Sequence, residues 1–180
     1  YDLCPTVPLT EVIRQVRAGL AAVWNRAEEF GIDRERMYIS GHSAGGHLCA
    51  MLAATDCESL GLPADAIKGA TMVSGLYDLT PMLSIPGGEE LLMTPETVAD
   101  VSPMWHLPPP RMPLVVAVGG HETREWIRQT DDFAAACRAN GSEVTAIQPD
   151  YDNHYSILYT VANPMTELGA AVLRQMGLTA

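Results

Sequence analysis

The sequence predicts an α/β chain, with a mostly parallel sheet covered by helices on both faces. Three observations carry that expectation. Short strands that are apolar on both sides alternate with helical segments, the order of a parallel sheet buried on both faces. The 180 residues amount to about one domain. The composition, 47% apolar and 18% charged, builds a core and does not describe a disordered polymer.

The elements follow in order. Over Leu9 to Phe30, Ile13, Val16, Leu20, Val23 and Trp24 step by three and four, one face of an amphipathic helix opened near Pro8 and closed by Gly31. Met37 to Ser40 reads as a short buried strand running into Gly41-His42-Ser43-Ala44-Gly45-Gly46, with a helix from Ala44 marked by Leu48, Met51 and Leu52. Ile67 to Ser74 is the second strand and Leu114 to Val118 the third. A helix from Thr123 to Asn140 is closed by Gly141, so Asn140-Gly141-Ser142 reads as its terminating turn, not as a glycosylation site. Glu143 to Gln148 is the fourth strand and Pro164 to Met176 the last helix. Between the second and third strands, residues 76–112 are irregular and rich in proline, with a short helix expected at Thr94-Pro95-Glu96. A connection of that length inside one domain is a lid or pocket wall. Residues 1–180 are therefore expected to form a single domain with a lid-like insertion.

Charge and cysteine usage exclude whole classes of function. The net charge is −11 and Lys68 is the only lysine, so a basic face for nucleic acid is not expected. No apolar run approaches the ~18 residues of a membrane span. Cys4, Cys49, Cys57 and Cys137 form no C-x-x-C pair, which fits reduced thiols and a cytoplasmic setting better than a disulfide framework or a zinc site. The chain starts at Tyr1 and enters structure almost at once, so a longer protein is expected to precede it.

Gly41-x-Ser43-x-Gly45 is the G-x-S-x-G pattern, weak alone but placed here between a strand and a helix. Such a turn strains its central residue, pushes the serine outward, and aims the Ala44 amide where an oxyanion would form. Glycine is expected at both Gly41 and Gly45 to avoid collision. The plainer alternative is a serine capping a helix; a phosphate loop fails because no G-K-[ST] follows.

A serine hydroxyl needs a base, and the base needs an orienting acid. His154, in the loop after the fourth strand, is the expected base, with His121 as rival. Glu122, after the third strand, is the expected acid, with Asp78 as rival; Glu122 could otherwise simply favour a helix dipole. The stretch from His121 to Glu125 lacks the second histidine of a zincin helix, so no metal and no cofactor is expected. Tyr77, Asp78 and Trp105 are expected near a substrate pocket.

Tyr1-Asp2-Leu3-Cys4-Pro5, the stretch from Gly41 to Leu48, Ser74-Gly75-Leu76-Tyr77-Asp78-Leu79 and Asn153-His154 together resemble α/β-hydrolases of the arylformamidase (kynurenine formamidase) and short-chain esterase branch. The resemblance covers nearly the whole chain. It implies an α/β-hydrolase fold lacking its N-terminal strands, with Ser43, Glu122 and His154 as nucleophile, acid and base. Family members often carry Asp where Glu122 stands. It also implies an upstream His-Gly-Gly-type loop completing the oxyanion hole, so the chain is expected to be the C-terminal two-thirds of a longer enzyme. The expected substrate is a small aryl formamide such as N-formylkynurenine, or a short-chain carboxylic ester. A catalytically impaired binding module is the alternative from another class, and homodimers occur in the resembling family.

Overall fold

The computed structural model describes residues 1–110 and 112–178; Arg111, inside the irregular segment, lies outside the described residues. Four parallel strands, β1 (Tyr38–His42), β2 (Gly69–Val73), β3 (Pro113–Ala117) and β4 (Glu143–Ile147), form one sheet in the order β1-β2-β3-β4. The helices are α1 (Leu9–Asn25), α2 (Ala27–Phe30), α3 (Ala44–Ala53), α4 (Arg124–Ala139), α5 (Ile157–Ala162) and α6 (Glu167–Gln175).

Side chains alternate between the two faces of the strands. On one face Ala70, Met72, Leu114 and Val116 meet Leu20 of α1, Cys49, Ala50 and Ala53 of α3, and Phe133 and Cys137 of α4. On the other, Val73, Val115, Ala117 and Ile147 meet Ile157 of α5 and Leu168 and Ala171 of α6. That two-sided burial is why β2 and β3 read as continuous apolar runs. β1, at the sheet edge, is only half-buried.

A third cluster joins Leu9, Val12 and Ile13 of α1 and Leu48 and Met51 of α3 to Leu79, Val98 and Val101 of the irregular segment. That segment is not a loose loop. It folds as four 3-10 turns, Thr80–Ser84, Gly88–Leu91, Ala99–Val101 and Pro103–Trp105, and its apolar side chains clamp it over α1 and α3.

Several boundaries differ from expectation. The first helix breaks at Arg26, where φ −103 and ψ 15 leave the helical range; its guanidinium pairs with Glu29 and lies over Phe30. β1 runs two residues beyond Ser40, because Gly41 and His42 stay in register with Met72 and Val73. Thr94 accepts from the amides of Thr97 and Val98 in a turn and starts no helix. The last predicted helix begins later, at Glu167, and α5 precedes it. Among the described residues no helix is long and apolar enough to cross a membrane. All four cysteines are free.

Candidate active site

Three loops at the carboxyl ends of β1, β3 and β4 converge on one point. The first is the turn from β1 into α3. Ser43 sits there at φ 57 and ψ −120, a conformation L-residues avoid. The strain is held because the Ser43 N–H donates to the Val73 carbonyl at 2.9 Å and the Ser43 carbonyl accepts from the His47 N–H at 3.1 Å. A Cβ on Gly41 would lie 2.0 Å from the Gly45 carbonyl oxygen, so that glycine is obligatory. Gly45 does not behave as expected: a Cβ there meets nothing within 4 Å. The second close approach belongs to Gly46, whose Cβ would come within 2.9 Å of the Val73 oxygen. Ala44 opens α3, so no intrahelical carbonyl lies behind its N–H.

The second loop is Gly119 to Glu122. The Glu122 N–H donates to the Gly119 carbonyl at 3.0 Å, and the Gly119 N–H returns a bond to Glu122 Oε1 at 2.9 Å. A Cβ on Gly119 would lie 2.4 Å from the Asp152 carbonyl oxygen, so the absence of a side chain lets this loop press against the one carrying the histidine. Glu122 Oε1 also accepts from the Ser74 hydroxyl at 2.5 Å. Its side chain is only 2% exposed.

The third loop, Pro149 to Ser156, is fixed by local chemistry. Asn153 Oδ1 accepts from the amides of Tyr155 and Ser156, and the Ser156 hydroxyl donates to Asp152. His154 then stands between the other two loops. Its Nδ1 is 2.7 Å from Glu122 Oε2 and its Nε2 is 2.9 Å from Ser43 Oγ. A carboxylate only accepts, so Nδ1 carries the proton and Nε2 turns its lone pair to the serine O–H.

Two further residues support this chain of contacts in ways the sequence does not announce. His42 donates from Nε2 to the His154 carbonyl at 2.7 Å, fastening the histidine loop to the serine turn. Trp126 sets the edge of its ring system against His154, centroids 5.3 Å apart, and donates its indole N–H to the Ser74 carbonyl at 2.8 Å. In the sequence Trp126 looks like any apolar helix position. Only its place one turn into the helix after Glu122 hints at the site.

The rivals take no part in this path. His121 is exposed, its ring edge against Tyr151. Asp78 turns its carboxylate to the Thr80 N–H at 2.9 Å and makes no bond to His154. Two expected pocket residues are corrected. Tyr77 is fully buried and stacked on Phe133, ring centroids 4.2 Å apart, and burial pushes its phenol pKa up. Trp105 is 66% exposed on the Pro103–Trp105 turn and does not border the serine.

The cavity beside Ser43 and Ala44, about 250 Å³, is walled by Leu9, Leu76, Leu79, Met82, Leu91 and Trp126, with His47 at its base. His47 donates to the Val101 carbonyl at 2.7 Å, and burial lowers its pKa, keeping the imidazole neutral. A second cleft, about 380 Å³, opens on the far side of Trp126, beside His154, His121 and Tyr155.

The BD-FAE family pattern matches residues 1–136. The chain is 31% identical over 183 residues to the kynurenine formamidase of Salmo salar, covering 98% of this chain and 60% of that protein. It is 29% identical over 182 residues to the kynurenine formamidase of Danio rerio, with the same coverage of 98% and 60%. The chain thus spans about 60% of the length of the curated relatives it matches. The carboxylesterase EstE1, cloned from a metagenomic library, shares the fold, with a TM-score of 0.74 at 22% identity over 100% of this chain and 68% of that one.

Proposed function

Because the chain belongs to the BD-FAE family of α/β-hydrolases, we propose that it works by acyl transfer through Ser43, cleaving a small aryl formamide or carboxylic ester as a kynurenine formamidase or esterase does. One observation carries the proposal: the continuous hydrogen-bond path from Ser43 through His154 to Glu122, with spacings of 2.9 and 2.7 Å.

His154 Nε2 takes the Ser43 proton as the serine oxygen attacks the carbonyl carbon. The oxyanion draws on the Ala44 N–H at the positive end of α3. Glu122 holds the imidazole in the tautomer that accepts at Nε2 and stabilises the imidazolium that forms. The ring then gives its proton to the departing nitrogen or oxygen. Water, deprotonated by the same ring, releases the acid and restores Ser43. Leu76, Leu79, Met82 and Leu91 of the irregular segment serve this site as its wall within a single domain. The free thiols support a cytoplasmic setting. The ester reading is favoured over the formamide by the aliphatic cavity next to Ser43, which a formyl group leaves unfilled.

Labelling of the full-length protein with a fluorophosphonate tests the nucleophile. An adduct on the wild type that disappears in Ser43→Ala is the expected result, followed by turnover of N-formylkynurenine or p-nitrophenyl acetate. Equal labelling of both proteins removes Ser43 from the reaction, and no labelling at all turns the reading toward a binding module.

A further inference from the structure

Resting on that acyl-transfer reading, we propose that the site takes its substrate in one orientation only. An uncharged aliphatic acyl group of roughly four to eight carbons fills the chamber beside Ser43, and an aryl leaving group lies in the cleft beside His154. Aryl esters of medium-chain acids, not formamides, are then the preferred substrate class.

The two spaces differ in chemistry and in which reacting group they touch. The chamber borders Ser43 and Ala44 but not His154, and its walls are Leu9, Leu76, Leu79, Met82 and Leu91. The cleft borders His154 but not Ser43, and three further rings, His121, Trp126 and Tyr155, line it. Tyr155 stands edge-on to His154 with centroids 5.5 Å apart. Trp126 borders both spaces, and its indole N–H bond to Ser74 holds it in place as the partition.

The reaction fixes which part of the substrate goes where. As the bond from Ser43 Oγ to the acyl carbon forms, the bond from that carbon to the aryl oxygen breaks. The leaving oxygen takes the proton that His154 Nε2 received from the serine, so the aryl group must lie on the His154 side. The acyl carbon stays bonded to Ser43 with its oxygen, an oxyanion before the aryl group departs and a carbonyl after, toward Ala44, and the rest of the acyl chain extends into the space those two residues share.

Size and charge then define the acyl group. An apolar cavity of about 150 Å³ already takes benzene, and this one is about 250 Å³. A formyl hydrogen leaves it with nothing to replace the lost dispersion contacts. Among the described residues the chamber is lined by no lysine or arginine, and burial lowers the pKa of His47, so a carboxylate-bearing acyl chain finds no cationic partner in it.

The test uses the full-length protein and p-nitrophenyl esters from acetate to octanoate, beside formanilide. Wild-type kcat/KM is expected to climb about three- to fourfold per methylene up to hexanoate, following the transfer of methylenes out of water. Leu91→Trp and Met82→Phe, both at half-buried positions, each shrink the chamber. Each should lower the hexanoate-to-acetate ratio by about tenfold or more. Tyr155→Ala should instead lower the phenyl-to-ethyl ratio for hexanoate esters severalfold. A flat or falling chain-length series, or formanilide turned over best, overturns the assignment while a Ser43 adduct leaves the hydrolase reading intact. The assignment fails equally if the chamber variants take the fluorophosphonate but keep the wild-type ratio, or if the two sets of variants exchange effects. Absence of any Ser43 adduct removes the hydrolase reading and this orientation with it.

Discussion

The Ser74 hydroxyl and the Glu122 carboxylate meet at 2.5 Å, and this contact fixes the acid from the strand beside it. Ser74 is fully buried, follows β2 at φ 51, and anchors its own N–H on the Ala117 carbonyl at 2.7 Å. Removing the hydroxyl leaves Glu122 Oε1 with the Gly119 amide alone. A hydrogen bond to a charged group is worth about 1.5–3 kcal/mol. Ser74→Ala is therefore expected to lower kcat by about tenfold or more through a mispositioned imidazole, with KM little moved; steady-state kinetics beside Ser74→Thr reads the difference.

Glu122 and Asp78 are separated by the same logic. Glu122→Gln preserves the shape but presents an amide that no longer selects the tautomer accepting at Nε2. A loss of about 10²–10⁴ in kcat follows. Asp78→Asn keeps an oxygen for the Thr80 amide and should stay within about threefold of wild type. Turnover of a p-nitrophenyl ester by the two variants decides the assignment, and a collapse confined to Asp78→Asn reverses it.

The glycines of the serine turn predict opposite outcomes for one substitution. Gly41→Ala drives a methyl into the Gly45 carbonyl and should abolish cooperative folding. Gly45→Ala meets open space within α3 and should stabilise by about 0.5–1 kcal/mol, because alanine loses less backbone freedom in a helix. Thermal unfolding of the two variants checks the contrast.

His47 predicts how stability varies with pH. Burial lowers its folded-state pKa below the ordinary histidine value of 6.5, so between the two values the unfolded chain binds the proton and the folded chain does not. The contribution is complete above about pH 6.5 and is lost as pH falls through the folded-state value. The slope is at most about 1.4 kcal/mol per pH unit for this one proton. Urea unfolding between pH 5 and 7.5 should show the decline, and His47→Gln should flatten it.

The parallel order of strands is legible in the sequence because burial on both faces writes apolar runs that need no knowledge of partners. Ser43, Glu122 and His154 stand out as candidates as well, since each ends a strand and the strand ends share one rim. Other features are hidden. β1 continues through Gly41 and His42, poor strand formers, because register with Met72 and Val73 overrides propensity. Gly45 and Gly46 are indistinguishable as letters, and only the approach of Val73 tells which one is crowded. α5 shows one fully buried apolar residue, Ile157, so no periodic stripe announces it. Tyr77 looks like pocket lining because aromatic residues after strands often are, yet the loop turns its ring inward onto Phe133.

Ser43 and Ser74 end neighbouring strands in backbone shapes that favour glycine. Glycine at either place would relax the chain while discarding the hydroxyl that reaches His154 or Glu122. A search for heat-resistant variants that scored survival alone would drift toward those two replacements and collect sturdy proteins with an idle centre. Durability and reactivity pull on the same two backbone angles, so any screen for one has to be gated by an assay of the other.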